Sequence, residues 1–257
     1  MTIAVATLGC SRKQNDLHSW KELTQLEGDY RLYINWERQT SIDNPDETQR
    51  LDTLFEEMAA LNTTLPIDAD VWDWKPLFSS PQWDFNWRKR PKFDQDQARL
   101  SSIVTARNMC IEYAIQTDCS HLLFIDADIV PPRDIIPKLL EVNQDAVCGL
   151  VNGRGCHSHM QYIFGEKRRW KQGSPEYELV EVEHANIGYT MLSRKLIETV
   201  RFRYGRSIYP DGRDHITSDD PAYHLDCFIK YGTWPVVRMD VVGQHVGDLK
   251  NDEISQF

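Results

Sequence analysis

His121-Leu122-Leu123-Phe124-Ile125-Asp126-Ala127-Asp128-Ile129-Val130-Pro131-Pro132 is the stretch on which the reading of this chain turns. Its apolar run, His121 to Ile125, is short, rich in residues that pack on a pleated surface and followed closely by two prolines, as a buried strand of an α/β sheet would be. Asp126 and Asp128 therefore stand at the C-terminal end of that strand. In open α/β sheets, ligands bind in the crevice outside those ends. Two carboxylates one residue apart, where strand gives way to loop, can both turn toward a divalent cation and a phosphate-bearing ligand. Hard oxygen donors of this kind suit Mg2+ or Mn2+. The competing reading is a surface turn with two solvated aspartates, because D-x-D also arises by chance.

Working outward, strands and helices alternate, so a mostly parallel sheet is expected. Thr2 to Thr7 reads as a first strand, Leu8 to Arg12 as a turn, and Tyr30 to Trp36 as a second strand. Asn44-Pro45-Asp46-Glu47 carries N-cap chemistry for a helix reaching about Asn62. Residues 63–95 lose all periodicity while holding Trp72, Trp74, Trp83 and Trp87, and are read as an aromatic inserted loop. A helix follows over Leu100 to Thr117, with Arg107 in the middle of its apolar arc. A guanidinium there must meet an anion, since an unpaired buried charge is very costly. Its partner is either a structural carboxylate or the diphosphate of a bound nucleotide. Beyond the central strand, Asp134–Val142 and Arg194–Val200 read as helices, Asp145–Val151 as a strand, and Glu178–Glu183 and Ile187–Leu192 as paired strands. A last helix, about Asp219 to Tyr231, precedes a strand over Val236 to Val242.

A chain of 257 residues with 41% hydrophobic and 26% charged residues can fold as one large soluble domain, taken here as residues 1–247 with a polar tail at 248–257. The longest apolar runs fall far short of the ~20 residues that span a bilayer. The first residues lack a basic n-region, so a cytoplasmic protein without membrane contact, a monomer or weak oligomer, is expected. The six cysteines show no C-x-x-C spacing and read as reduced, buried thiols. A net charge of −10 argues against nonspecific coating of nucleic acid.

Several pieces in order resemble the GT-A fold glycosyltransferases, closest to the family 2 type. They are Ala106-Arg107-Asn108, Phe124 to Pro131, Asn186-Ile-Gly-Tyr-Thr-Met-Leu-Ser-Arg194, Ser218-Asp219-Asp220 and Gly243-Gln-His-Val-Gly247. That resemblance implies a metal-dependent enzyme moving a sugar from a nucleotide-diphosphate sugar, with uridine diphosphate the usual nucleotide, to an acceptor hydroxyl. Asp128 would ligate Mn2+ or Mg2+ directly, Asp126 would complete the metal site by contacting the ribose or a metal-bound water, and Ala127 would lie beside it at the nucleotide. His245 would be a third protein ligand. Thr7, Leu8, Gly9 and Arg12 would hold base and ribose, and Arg107 would meet the nucleotide or the Asp126/Asp128 pair. Asp220, with Asp219 as the alternative, would be the base of an inverting reaction; helix N-capping by Asp219 or Ser218 is compatible with that role. The Q-x-x-R-W signature of processive synthases is missing, which favours single addition.

For the acceptor, Trp87-Arg-Lys-Arg-Pro-Lys92 and Lys167-Arg-Arg-Trp-Lys171 set flat faces beside cations, chemistry that suits nucleobases and phosphates or sugar rings. Hydroxymethylated pyrimidines in DNA, of the sort that phage sugar transferases modify, and glycan or protein hydroxyls are the acceptors this raises. Asp126-Ala-Asp-Ile-Val130 also fits the nucleophile motif of haloacid-dehalogenase-like phosphohydrolases, although over a hundred residues precede it. A sugar nucleotidyltransferase should carry a G-x-G-x-R loop, of which Ala6 to Arg12 has only part.

Overall fold

In the computed structural model, residues 2–10, 20–38, 56, 67–73, 92–152, 161–162 and 179–245 are described. The elements in chain order begin with β1 (Ile3–Cys10), α1 (Trp20–Leu23), β2 (Tyr30–Arg38), β3 (Ile67–Asp73), α2 (Lys92–Gln116) and β4 (His121–Ile125). Next come β5 (Ile129–Val130), α3 (Ile135–Glu141), β6 (Ala146–Asn152), β7 (Gln161–Tyr162), β8 (Leu179–His184), β9 (Tyr189–Ser193) and α4 (Arg194–Thr199). The last are β10 (Gly205–Ile208), β11 (Asp214–Thr217), α5 (Asp219–Tyr231) and β12 (Val236–His245).

Alternation along the central strands sends side chains to both faces of one sheet, and both faces are buried. Ile3 and Val5 of β1, with Leu123 and Ile125 of β4, pack against Leu23 of α1 and Ile135, Ile136 and Leu139 of α3. Ala4, Ala6, Leu122 and Phe124 point the other way, onto Cys110, Ile111 and Ala114 of α2, Leu196 and Ile197 of α4, and Tyr223 of α5. Small Ala4 and Ala6 leave room for α2 to lie close to β1. Each fully buried Leu, Ile or Phe contributes about 1.5–3 kcal/mol, so the sheet holds its helices by burial on two sides.

The sheet order is β3-β2-β1-β4-β9-β6-β12-β8-β7, with the short β5 paired to β12. Strands β3, β2, β1 and β4 are mutually parallel, as are β6 and β12. Between these two sets lies β9, antiparallel to both β4 and β6, so all six parallel strands point the same way. Their carboxyl ends consequently share one edge.

The strand at His121–Ile125 and the helix at Asp219–Tyr231 lie where periodicity puts them. Gly232, at φ 71°, closes that helix in the left-handed conformation that glycine adopts most readily. Four expectations change. The first strand runs on through Leu8 and Gly9 to Cys10, because these residues pair with Asn35, Trp36 and Glu37 of β2; the expected turn is strand. Residues 67–73, inside the stretch expected to be an aromatic loop, form β3 on the sheet edge, in register from Leu32↔Ile67 to Arg38↔Asp73. An Ile-Asp-Ala-Asp-Val-Trp-Asp strand with a polar face is easily overlooked without its neighbour. The helix expected from Leu100 begins at Lys92. Finally, β8 and β9 do not pair with each other: β8 joins β12 and β7, and β9 inserts between β4 and β6. The helix expected near 44–62, the tail at 248–257 and most of the Trp-rich stretch lie outside the described residues.

Cys110, Cys119, Cys148 and Cys227 are free and buried, as read from the sequence. Among the described residues no helix is long and apolar enough to cross a membrane.

Where β9 passes β6 and β12, the buried Tyr189 ring lies flat against two glycines. A Cβ on Gly149 would stand 2.7 Å from the Val241 carbonyl oxygen as well as inside the Tyr189 ring. Backbone cannot yield as a flexible side-chain tip can. Gly149→Ala should therefore destabilise the protein by about 1–3 kcal/mol, the usual cost of overpacking a core, read as a lower urea midpoint with unchanged slope.

Candidate active site

Asp126 follows the last residue of β4, so its place is fixed by the most buried strand of the sheet. Its backbone N–H donates to Gly188 O at 2.8 Å, and its own carbonyl accepts from Ile129 N at 2.9 Å. That turn sends the chain into β5, which pairs antiparallel with the end of β12, Ile129 opposite His245 and Val130 opposite Gln244. This short pairing delivers His245 to Asp128: Nε2 lies 3.1 Å from Asp128 Oδ2. Both side chains are largely covered yet reachable, at 15% and 23% exposure.

The Asp126 carboxylate lies directly on Gly188, where any Cβ would collide with both of its oxygens. Asn186 holds this glycine in place, its Oδ1 accepting from Gly188 N at 2.8 Å. Thr190 Oγ1 in turn donates to Asn186 O at 2.7 Å. The Asn186-Ile187-Gly188 turn is thus a platform for the strand-end aspartate, a role that sequence reasoning left undefined although the residues stood in the quoted motif.

Arg107 reaches the same region from α2. Its Nη1 donates to Asp219 Oδ2 and Asp220 Oδ1, both in the first turn of α5. Of the two anions expected for it, a carboxylate is present: its hydrogen bonds go to Asp219 and Asp220, while Asp126 of the expected Asp126/Asp128 pair acts on it through its charge. Burial alone would pull this guanidinium down; Asp220, Asp219 and, third, Asp126 outweigh it and hold its pKa above the ordinary arginine value. Asp126 therefore lies within the same electrostatic field as the α5 pair. Burial pushes the Asp219 carboxyl up, against the pull of Arg107. The two acids differ in access: the Asp219 side chain is 7% exposed and Asp220 25%. Ile187 N also approaches Asp220 Oδ2, at 3.4 Å. Ser218 is the N-cap of α5, but its side chain makes no capping hydrogen bond.

The neighbour of Arg107 secures this arrangement. Asn108 Nδ2 donates to Phe202 O at 3.0 Å while its Oδ1 accepts from Phe202 N at 2.9 Å. The Phe202 ring stacks on Tyr223 of α5 at 4.2 Å and lies 5.4 Å from the Arg107 guanidinium carbon. Ala106, Arg107 and Asn108 therefore lock the N-terminal part of α5 against the end of β4.

In the middle of β1, Thr7 is buried with its hydroxyl unpartnered among the described residues. Leu8 and Gly9 continue beside it on the strand, and Arg12 lies outside the described residues. Ala127 is buried between the two aspartates. One turn beyond Asp220, His224 is fully buried with neither ring nitrogen hydrogen-bonded to a described residue. Burial pushes this imidazole down to about 3, against an upward pull from Asp220.

No protein-family model matches the sequence, and neither does any curated protein. The mannosyltransferase PcManGT from Pyrobaculum calidifontis, solved with GDP-Man and Mn2+, superposes with a TM-score of 0.52 at 13% identity, over 96% of this chain and 58% of its own. TarS of S. aureus gives 0.53 at 9% identity, over 95% of this chain and 36% of its own. A shorter form of it, residues 1–349, gives 0.52 at 10% identity, covering 100% of this chain and 69% of its own. The chain has the GT-A fold. It spans about a third of TarS and a little over half of the mannosyltransferase, and at these identities the likeness is one of architecture.

Two outcomes follow from the buried charges. Replacing Arg107 by Met leaves two carboxylates without their counter-charge, and stability should fall by about 3–5 kcal/mol, measured by urea unfolding at neutral pH. For His224, the unfolded imidazole takes up a proton below its ordinary 6.5 while the folded one does not until about 3. Its contribution to stability is thus present above 6.5 and is lost as pH falls toward 3. Between pH 7.5 and 5 the wild type should lose about 2 kcal/mol more than His224→Leu, seen by comparing their unfolding free energies at the two pH values.

Proposed function

We propose that this protein is a metal-dependent glycosyltransferase that moves a sugar from a nucleoside diphosphate sugar to an acceptor hydroxyl with inversion. The observation that carries the reading is that Asp126, at the strand end beside the Asp128–His245 pair, sits on Gly188 within the field of Arg107, which holds the acidic pair of α5. A haloacid-dehalogenase-like phosphohydrolase would need another fold, so that alternative falls.

The donor set suits a hard or borderline divalent ion: one carboxylate oxygen and one imidazole nitrogen side by side. Among the described residues no three His, Cys, Asp or Glu side chains converge as a closed cage. An ion of the Mg2+ type keeps several waters and is completed by substrate phosphates, so Asp128 and His245 would be its protein ligands in this reading. When bound, such an ion neutralises the departing diphosphate, where charge accumulates in the transition state. The solved complex of PcManGT with GDP-Man and Mn2+ lends support to this choice.

In this reading Asp128 and His245 hold the ion, and Asp126, seated on Gly188, meets the ribose or a metal-bound water. The Thr7 hydroxyl, with Leu8 and Gly9, lies at the base and ribose end of the donor. Asp220 is the base: it is the more accessible of the pair, and Arg107 fixes its position for accepting the hydroxyl proton as the oxygen attacks the anomeric carbon. Asp219, more deeply buried, serves chiefly to hold Arg107. Uridine diphosphate is the nucleotide proposed from the family resemblance, with guanosine diphosphate to be tested beside it. The acceptor is proposed to be a glycan hydroxyl. Support for DNA came from the basic clusters at 87–92 and 167–171, whose side chains lie outside the described residues.

Thermal unfolding with a panel of UDP- and GDP-sugars tests the scheme, because a ligand of the native state raises apparent stability. One donor should raise the midpoint in the presence of Mn2+ and not in chelator, and Asp128→Ala should abolish that response. Asp220→Ala should keep the response and lower turnover at least ~100-fold, the low end of the contribution of general base catalysis. No stabilisation by any donor, or an active Asp220→Ala protein, would refute it.

A further inference from the structure

Between Phe202 and α5 the chain forms the hairpin of β10 and β11, which the donor chemistry above does not use. Its register is Gly205↔Thr217, Arg206↔Ile216, Ser207↔His215 and Ile208↔Asp214. One side is anchored. Ser207 and Thr217 are buried with their hydroxyl oxygens 2.7 Å apart. Arg203, at the hairpin's foot, grips both oxygens of Asp226 on α5 at 2.7 Å each. From the turn, Arg213 pairs with the buried Glu183 of β8 and, at 2.6 Å, with Asp211. The hairpin is therefore a fixed wall, held by α5 and by the sheet.

The other side is open. Ile208 is 58% exposed and Ile216 75%, far more than packing onto the protein itself would leave. Beside them runs a groove of about 460 Å³ lined by Tyr204, Gly205, Arg206, Asp214, His215 and Ile216. It is open along one side, so an occupant would rest on it with its other face in water. Chain length alone keeps it near the proposed base, since Asp220 is four positions after Ile216, at most about 14 Å of extended backbone.

Charge decides which acceptor the groove fits. The three guanidiniums of this region, Arg203, Arg206 and Arg213, meet four carboxylates, Asp226, Asp214, Asp211 and Glu183. Among the described residues of the hairpin every arginine is thus matched by a carboxylate, whereas a nucleic acid backbone is bound through unmatched cations. What the groove presents is the exposed Arg206–Asp214 pair, a planar fork whose remaining N–H groups and lone pairs can bond neighbouring hydroxyls. An imidazole, a tyrosine ring and the apolar edge of Ile216 surround it. A sugar ring matches this lining, with hydroxyls around its rim and C–H groups on its faces.

We propose that the β10–β11 groove is an acceptor subsite and that its occupant is an uncharged sugar residue of a glycan, an inference that rests on the transferase reading. A glycan of a few units would lie in the groove and carry its reacting hydroxyl to Asp220.

Saturation-transfer NMR on the whole protein, with maltotriose, chitotriose and mannotriose as probes at millimolar concentration, tests it without a donor. At least one should receive saturation, and Tyr204→Ala and Ile216→Asp should each weaken its binding tenfold or more with the thermal midpoint preserved. Ile229→Asp, exposed on α5 outside the groove, should leave it unchanged. Silence from all three trisaccharides, binding untouched by both groove substitutions, or displacement of the sugar by duplex DNA would each overturn the proposal. Donor hydrolysis by the same preparation separates the two readings. Glycan binding with every nucleotide sugar left intact would sink the transferase and with it the acceptor role, leaving the groove a sugar-binding site, whereas donor turnover without glycan binding would sink the groove alone.

Discussion

A single guanidinium between two carboxylates governs the layout of this site. Arg107 is buried on the inner face of a long helix, and its charge could not remain there without the acids at the start of α5. Satisfying it draws the N-terminus of α5 to the carboxyl edge of the sheet, next to the turn that carries Asp126. Asn108 and Phe202 then make that approach rigid, the Asn108 side-chain amide pairing with the Phe202 backbone and the Phe202 ring stacking on Tyr223. The acidic pair is thereby held in position, with the Asp220 side chain the more accessible of the two.

A second constraint acts through the backbone. Tyr189 fills the space between β9 and its neighbours, and two glycines, Gly149 and Gly243, accept its ring. The same strand begins at Gly188, on which Asp126 is seated. Packing in the sheet and seating of the strand-end aspartate are thus consecutive in the chain, so a change at β9 reaches both. From the far side, the two-residue pairing of β5 with β12 places His245 against Asp128. The strand-end aspartates and the α5 pair are built on different elements, yet the field of Arg107 extends over Asp126 as well as over α5.

Much of this was legible in the sequence because it follows from local rules. The buried strand before Asp126, the helix that starts at Asp219 and the placement of Arg107 on an apolar arc all come from periodicity and punctuation. Other elements were not legible. The edge strand at 67–73 alternates acidic and apolar residues and is recognised only by its pairing with β2. The separation of β8 from β9 was hidden because adjacent strands usually pair, and nothing local announces that one will be inserted between β4 and β6. The hairpin of β10 and β11 carried no motif to draw attention to it.

The sequence by itself determined an α/β chain with two acids at the end of a buried strand, two more at a helix start, and one arginine that had to find an anion. These depend on residues near one another in the chain, where steric preference and the cost of burying charge operate directly. Only the tertiary structure decided which acids Arg107 pairs with, that Gly188 supports Asp126, that His245 stands beside Asp128, and that the arginines near Asp220 are already neutralised. Each of those is a meeting of side chains from distant segments, set by sheet order and register. Many registers satisfy the same local pattern, and the folded packing selects one.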